Sequence, residues 1–581
     1  MNLNGILNWM KGLINIPVKM FGHIPNEIKS LATVTIKPRP IQDPNNKNNK
    51  IYLNDPSTPQ FIIEEPEPAD TVFAMRAMGE AGGGYPLGSI QQQALAIKQM
   101  VNSALIYMKS KTKKDIRGWA AVQSLTLIPR AGKDINAFYD RNALQFFYFG
   151  DPAIRKNIYA ADARSVVTHE FGHAFLDILR PDWWDTQCSE IWAFHEAFGD
   201  MTALLQSLQH DSLIDEAIKE TNGDLMKSNI ISRLAAEMGI GLYHVIEQQQ
   251  PGGDFNPTCL RDLTMSWNYV PPETLPTDGG DSVLINECHS FSRIFSHAFY
   301  EILVNVAQFN ISENSGMSLK DAVKMARDTM AECLIEAVLT TPTTVRVYDA
   351  VARNMMAVCP KYSQIMSGIF QKHDILINKV GILANVDMKT LVAGIKEPHE
   401  IKTKGNMKIV RTLGIKTMKL TEKLGLMALS DNPLLDLEIT VPCQSAYYFE
   451  NDKLMNSSEY NEAEVLDAAY KCLDILHKNN LVGSHKEAIF DIKYGKLVRK
   501  QIICTCGRPN YCDPNAPEYQ KPWKPRNNSG CSVCHADCEP RSCSCEQESP
   551  KPVPKTGCFT TVKTGGATVY KFGSSASRKF C

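Results

Sequence analysis

The chain has 581 residues, 44% hydrophobic and 22% charged, which is ordinary globular usage over a length suited to several domains. Its formal net charge of −1 excludes a global field that would draw in nucleic acid or an anionic membrane, so no nucleic-acid partner is expected. No apolar run reaches the roughly 18 residues of a membrane span, so no transmembrane segment is expected.

Residues 1–84 read as an N-terminal segment and linker. Within it, 5–22 is apolar but interrupted by Asn8, Lys11, Asn15 and Lys19. That suits a short amphipathic helix and makes a poor signal-peptide core. Residues 37–70 are rich in Pro, Asn, Asp, Glu and Lys and predict a linker. A flexible Gly79–Gly84 lead-in follows. Gln91–Met108 predicts an amphipathic helix, Ala120–Pro129 a strand, and 136–149 an edge strand. A helix around 165–176 is ended by Pro181, and a second runs through Ser189–Asp200. Beyond it the pattern is mostly helical to about residue 380. Residues 381–500 mix a helix (Glu462–His477) with strand-like runs (Leu437–Val441, Ala488–Ile492) and predict a mixed α/β domain. Residues 501–581 form a Cys-rich tail.

Residues 169–173 read His-Glu-Phe-Gly-His. Two histidines four apart on a helix project from one face, one turn apart, and can grip one zinc ion. Glu170 is placed to deprotonate a zinc-activated water. The flanking Val166, Val167, Ala174, Phe175 and Leu176 predict a helix buried on several sides, where polar ligands need a compensating partner such as a metal. The third ligand is expected to be Glu196, 23 residues after His173, with the fourth position left for water. Asp200 shares its face and would accept from the far nitrogen of His169, fixing the tautomer. Glu190 and Asp177 are the competing carboxylates.

With His-Glu-x-x-His followed by Glu-x-x-x-Asp, the chain resembles the thermolysin family of zinc metallopeptidases, the gluzincins. The resemblance covers roughly residues 85–380. It implies an α+β fold with an N-terminal sheet-containing lobe, a C-terminal helical lobe and the zinc helix in the cleft. It also implies that Asn136 and Ala137 bind the substrate backbone and that Arg261 binds a substrate carbonyl. His289 would stabilise the tetrahedral intermediate, with His297 as its rival on the same apolar run. Residues 343–377 resemble the closing helices. There are departures. No tyrosine lies between His173 and Glu196, where Trp183 and Trp184 stand instead. No calcium-site acids are recognisable, so calcium is not expected. The aspartate that orients the second histidine has no match at the usual spacing, Asp281 being nearest. Family members are usually secreted, whereas residues 5–22 do not read as a clear signal peptide, so localisation stays open.

Ten of the 17 cysteines fall in the tail: Cys504, Cys506, Cys512, Cys531, Cys534, Cys538, Cys543, Cys545, Cys558 and Cys581. With few large apolar residues between them, they point to staples, either disulfides or further zinc. The expectation is therefore a zinc-dependent endopeptidase acting on peptide or protein substrates, with residues 381–581 available to a protein partner. The alternatives are a catalytically silent binding protein of the same fold, or an adaptor working through the tail.

Overall fold

The computed structural model describes residues 48–66, 71–79, 85–249, 251–276 and 279–376. Beyond these it describes 398–404, 407–412, 415–420, 432–443, 446–450, 453–458, 462–478, 482–483, 490–499, 559–564 and 567–572. The helix expected at 5–22, most of the lead-in after Gly79, and all ten tail cysteines lie outside the described residues.

Where a linker is expected, β1 (Asn48–Tyr52) and β2 (Ile62–Pro66) form an antiparallel hairpin. It docks through side chains that the polar composition hid. Ile51 is fully buried, Asn49 donates to Gln99 at 3.1 Å, and Asp55 accepts from the backbone of Glu237 at 2.9 Å.

The main sheet has the order β3 (Met75–Ala77), β4 (Leu125–Ile128), β6 (Ala143–Phe146), β5 (Ala137–Tyr139), with β5 antiparallel at the edge. Helix α1 (Ile90–Ser110) crosses between the parallel β3 and β4. Ser89 caps it by accepting from Gln92 N–H, and an Ala94, Ile97, Val101, Ala104, Leu105, Met108 stripe faces the core. The edge strand expected over 136–149 is three strands, and β5 parts from β6 where Arg141 takes a left-handed turn (φ 71°). The Asp140 carboxylate stabilises that turn by accepting from the backbones of Asn142 and Ala143. The third strand, β7 (Tyr148–Asp151), pairs with β8 (Lys156–Tyr159). Only Leu125–Ile128 of the expected 120–129 strand is extended.

Behind the sheet lie α2 (Arg164–Leu179), the short α3 (Pro181–Trp184) and α4 (Ser189–Ser207). Next come α5 (Asp211–Thr221), β9 (Arg233–Leu234), α6 (Ala236–Gln249) and β10 (Arg261–Asp262), which pairs with β9. Then follow α7 (Cys288–Glu313), α8 (Leu319–Thr340), α9 (Val347–Val358) and α10 (Ser363–Lys372). Pro181 opens α3 rather than lying in a loop, as the missing N–H of proline allows at a first helical position. Every residue of α4 from Glu190 to Ser207 is buried, so its hydrophobicity all round is that of a central core helix.

After residue 376 the described residues are again mixed. Strands β11 (Pro398–Lys404), β12 (Met407–Thr412), β15 (Ala446–Glu450) and β16 (Lys453–Ser458) form one antiparallel sheet. Strand β13 (Ile415–Met418) pairs with β14 (Ile439–Pro442), α11 spans Glu462–Lys478, and β17 (Phe490–Lys493) pairs with β18 (Lys496–Arg499). In the tail, β19 (Phe559–Thr564) pairs with β20 (Ala567–Phe572). The whole is a mixture of helix with small sheets, an α+β chain in the general sense. Among the described residues no helix is long and apolar enough to cross a membrane.

Candidate metal centre

Helices α2 and α4 cross at glycine. A Cβ on Gly172 would lie 2.9 Å from the Gly199 Cα, and a Cβ on Gly199 would lie 2.7 Å from the ring of His169. Only two hydrogens in place of methyl groups let the helices approach this closely. The approach brings the His-Glu-x-x-His face against Glu196.

The result is a convergent cluster. His169 Nε2 and His173 Nε2 are 3.1 Å apart. Glu196 faces both, at 3.4 Å from His169 and 3.7 Å from His173. Asp200 lies 3.1 Å from His169 Nδ1. A carboxylate can only accept, so Nδ1 carries the proton and, in the neutral ring, Nε2 is a bare lone pair aimed into the cluster. A buried carboxylate facing two imidazole nitrogens needs compensating positive charge or donated protons. In the metal-free chain a proton serves. Burial pulls His169 down, but the hydrogen bonds to Asp200 and Glu196 overcome this and raise it to about 9. Burial and the neighbouring imidazoles keep His173 well below its ordinary value. For Glu196 burial acts upward, yet His289, His173 and His169 hold it well below the usual carboxylate range. The donor set suits zinc, and the spacings need to change only by tenths of an ångström to match roughly 2.0–2.2 Å bonds. Glu196, Cys288 and His289 also bring donors close together, but that set shares Glu196 and lacks the paired imidazoles on one helix face.

Glu170 stands on the same helix, 2% exposed. Its Oε2 has no hydrogen-bond partner among the described residues. Burial, reinforced by Glu196 and opposed by His169, pushes its carboxyl up to about 8. It is a carboxyl held out of water beside the candidate metal position.

Two further groups brace the carboxylates. Arg261 on β10 reaches Asp200 at 2.5 Å and Glu196 at 3.4 Å, and Ser296 on α7 donates to the other oxygen of Asp200 at 2.9 Å. His289 lies in the first turn of α7 with Nε2 2.7 Å from Glu196 Oε2. Its Nδ1 lies 3.1 Å from Glu287 Oε1. Glu287 also caps α7, accepting from the backbones of His289 and Ser290. Glu287 therefore has the orienting position for which Asp281 is the nearest sequence candidate. Asp281 instead accepts from Asn256 N–H at 2.6 Å. The missed signal was an acid directly before a helix start.

The competing carboxylates are engaged elsewhere. Asp177 accepts from Tyr139 and Arg141, and Glu190 from Tyr269 and the backbone of Tyr348. Trp183 packs edge-on against Phe194 and under Arg180, and Trp184 lies against Tyr139 and His195. His297 is not in this cluster. Asn136 is fully buried, its carbonyl accepting from Phe147 N–H at 3.0 Å, and Ala137 is 2% exposed. Neither presents a side chain to solvent in this conformation. Within the cluster His169, at 9% exposure, is the most open ligand.

No protein-family model matches the chain, and no curated protein matches it.

Proposed function

We propose that the chain is a zinc-dependent endopeptidase of thermolysin-like fold over residues 85–380. The observation that carries this is the meeting of His169, His173 and Glu196 donor atoms beside the buried carboxyl of Glu170, whose Oε2 has no hydrogen-bond partner among the described residues. Zinc bound there supplies a Lewis acid that acidifies water and polarises a peptide carbonyl. Glu170 accepts the proton of the attacking water and returns it to the leaving amine. Asp200 holds His169 in the tautomer that exposes Nε2, and Arg261 keeps Asp200 and Glu196 in place. His289, held by Glu287, stands one carboxylate away from the metal position and is the residue proposed to stabilise the oxyanion. Asn136 and Ala137, at the edge of the sheet, are the proposed substrate-backbone partners. The catalytic cofactor is one zinc ion.

The test is Glu170→Gln in the full chain. Zinc content stays at the wild-type value while hydrolysis of a casein-type substrate falls ~10²–10⁴-fold, the usual scale for a general base. Near-normal cleavage by the variant removes the mechanism. A second reading, a metal-holding fold without turnover, is favoured by the burial of Asn136 and of the cluster. It requires the wild-type protein with zinc to cleave nothing.

A further inference from the structure

Eight residues beyond His289 on α7, about 12 Å along the helix axis, His297 begins a second cluster that the proposed mechanism does not use. His297 and Glu301 are four apart on one face of α7, and His373 comes from the end of α10. All three are buried, at 2%, 8% and 0% exposure. His373 Nε2 lies 2.7 Å from Glu301 Oε2, and His297 Nε2 lies 3.5 Å from the same oxygen. The three donor atoms all fall within 4.8 Å of one another.

The far side of each imidazole decides what the near side offers. His297 Nδ1 faces the carbonyl of Leu263 at 2.8 Å, and His373 Nδ1 faces the carbonyl of Trp267 at 2.9 Å. A carbonyl can only accept, so both Nδ1 atoms carry protons. In the neutral ring His297 Nε2 is then a bare lone pair facing a carboxylate oxygen, while His373 Nε2 shares with Glu301 Oε2 a proton that a metal ion would displace. Among the described residues His297 Nε2 has no hydrogen-bond partner. Imidazoles anchored through N–H to backbone carbonyls, with their other nitrogens converging on a carboxylate, are the arrangement by which proteins orient metal-ligating histidines. Glu301 gives its other oxygen, Oε1, to the partly exposed Lys372 at 2.6 Å, so Oε2, now bonded to His373, is the oxygen an ion would take in place of that proton.

We propose that His297, Glu301 and His373 form a second divalent-metal site, of the nitrogen-rich character that suits zinc, which braces α7 and α10 against the segment carrying Arg261. The brace is direct. Leu263 follows the two residues of β10, and Tyr269 N–H donates to the carbonyl of His373 at 2.8 Å. An ion here fixes the backbone that presents Arg261 to Asp200 without touching the first cluster.

The experiment counts zinc in the full chain after chelator stripping and reloading, in a His169→Ala/His173→Ala background that disables the first cluster. Adding His297→Gln and His373→Gln must lower bound zinc by one equivalent per chain, whatever the tail cysteines hold in both proteins. Equal counts overturn the site and leave a proton-bridged His373–Glu301 pair. Circular dichroism checks that the variants fold. Because those residues are buried, Lys372→Met gives an independent arm at a partly exposed position. Removing the ammonium that competes for Glu301 must lower the dissociation constant of one zinc in the same background. An unchanged zinc titration for Lys372→Met overturns the assignment of Glu301 as a ligand. Neither arm depends on hydrolysis, so failure here leaves the peptidase proposal standing, and the converse.

Discussion

Replacing Gly199 by alanine tests whether the candidate metal centre depends on the helix crossing. The added Cβ would lie 2.7 Å from His169 Cε1 and Nδ1 and 2.8 Å from Nε2. Ordinary carbon contacts need about 3.5–4.0 Å, so ~0.8 Å must be found. The ring cannot yield cheaply, because Asp200 holds Nδ1 at 3.1 Å. If the ring moves, Nε2 leaves the roughly ±0.2 Å within which ligand distances are tolerated. If the helices part instead, a gap of 0.5–1 Å forfeits about a quarter to a half of each contact along two fully packed faces. Either way Gly199→Ala should weaken zinc binding by at least ~10–100-fold, the scale seen when the groups orienting a ligand are altered. Its cost to folding should stay near 1–3 kcal/mol, the usual range for overpacking. Competition with a chromophoric chelator reads the first quantity, and chemical denaturation of the metal-free protein reads the second. Gly150→Ala is the control, since its Cβ would meet only Asn157 Oδ1 at 3.8 Å. Wild-type zinc affinity in Gly199→Ala would refute the account of how the cluster is assembled.

Zinc uptake by the first cluster should be linked to protons. His169 titrates at about 9 in the metal-free chain, so below that pH zinc must displace a proton, and affinity should rise about tenfold per pH unit before levelling above 9. Calorimetry in buffers of different ionisation enthalpy counts the proton, and a pH-independent affinity contradicts the cluster electrostatics. His289→Ala should lower kcat and also loosen zinc, because Nε2 lies 2.7 Å from Glu196. A variant with kcat and zinc affinity both unchanged leaves His289 without a role. Glu237 supplies a stability test away from the site. Burial, aided by Asp55, raises its carboxyl to about 8. A raised acid favours folding only while it is protonated, so stability is lost as pH climbs from its unfolded value through 8. Glu237→Gln, which mimics the protonated form, should raise the thermal midpoint by about 2–4 °C at pH 9 and change it little at pH 5. Equal effects at both pH values contradict a buried, raised carboxyl.

What was legible in the sequence was local. Histidines at i and i+4 share a helix face wherever the helix goes, and Glu196 and Asp200 share theirs for the same reason. The amphipathic stripe of α1 and the span of α11 (Glu462–Lys478, against an expected Glu462–His477) are local in the same sense. What stayed hidden was nonlocal or masked by composition. A polar 37–70 stretch read as linker, yet 48–66 is a hairpin whose few apolar and amide groups reach the core. One residue at φ 71° divided an expected strand, a backbone choice that only the Asp140 turn explains. That Asn136 lies fully buried was not legible either, because exposure is a property of what packs above a strand. Glu287 went unrecognised because capping a helix and orienting a histidine are one act only once α7 stands beside α4. His297 and His373 lie 76 positions apart, and nothing in the spacing of His297, Glu301 and His373 foretells that α10 returns to α7. Periodicity determines which side chains share one face of an element. Which faces meet depends on how helices pack, and here that was settled by two glycines, Gly172 and Gly199, small enough to let α2 and α4 touch.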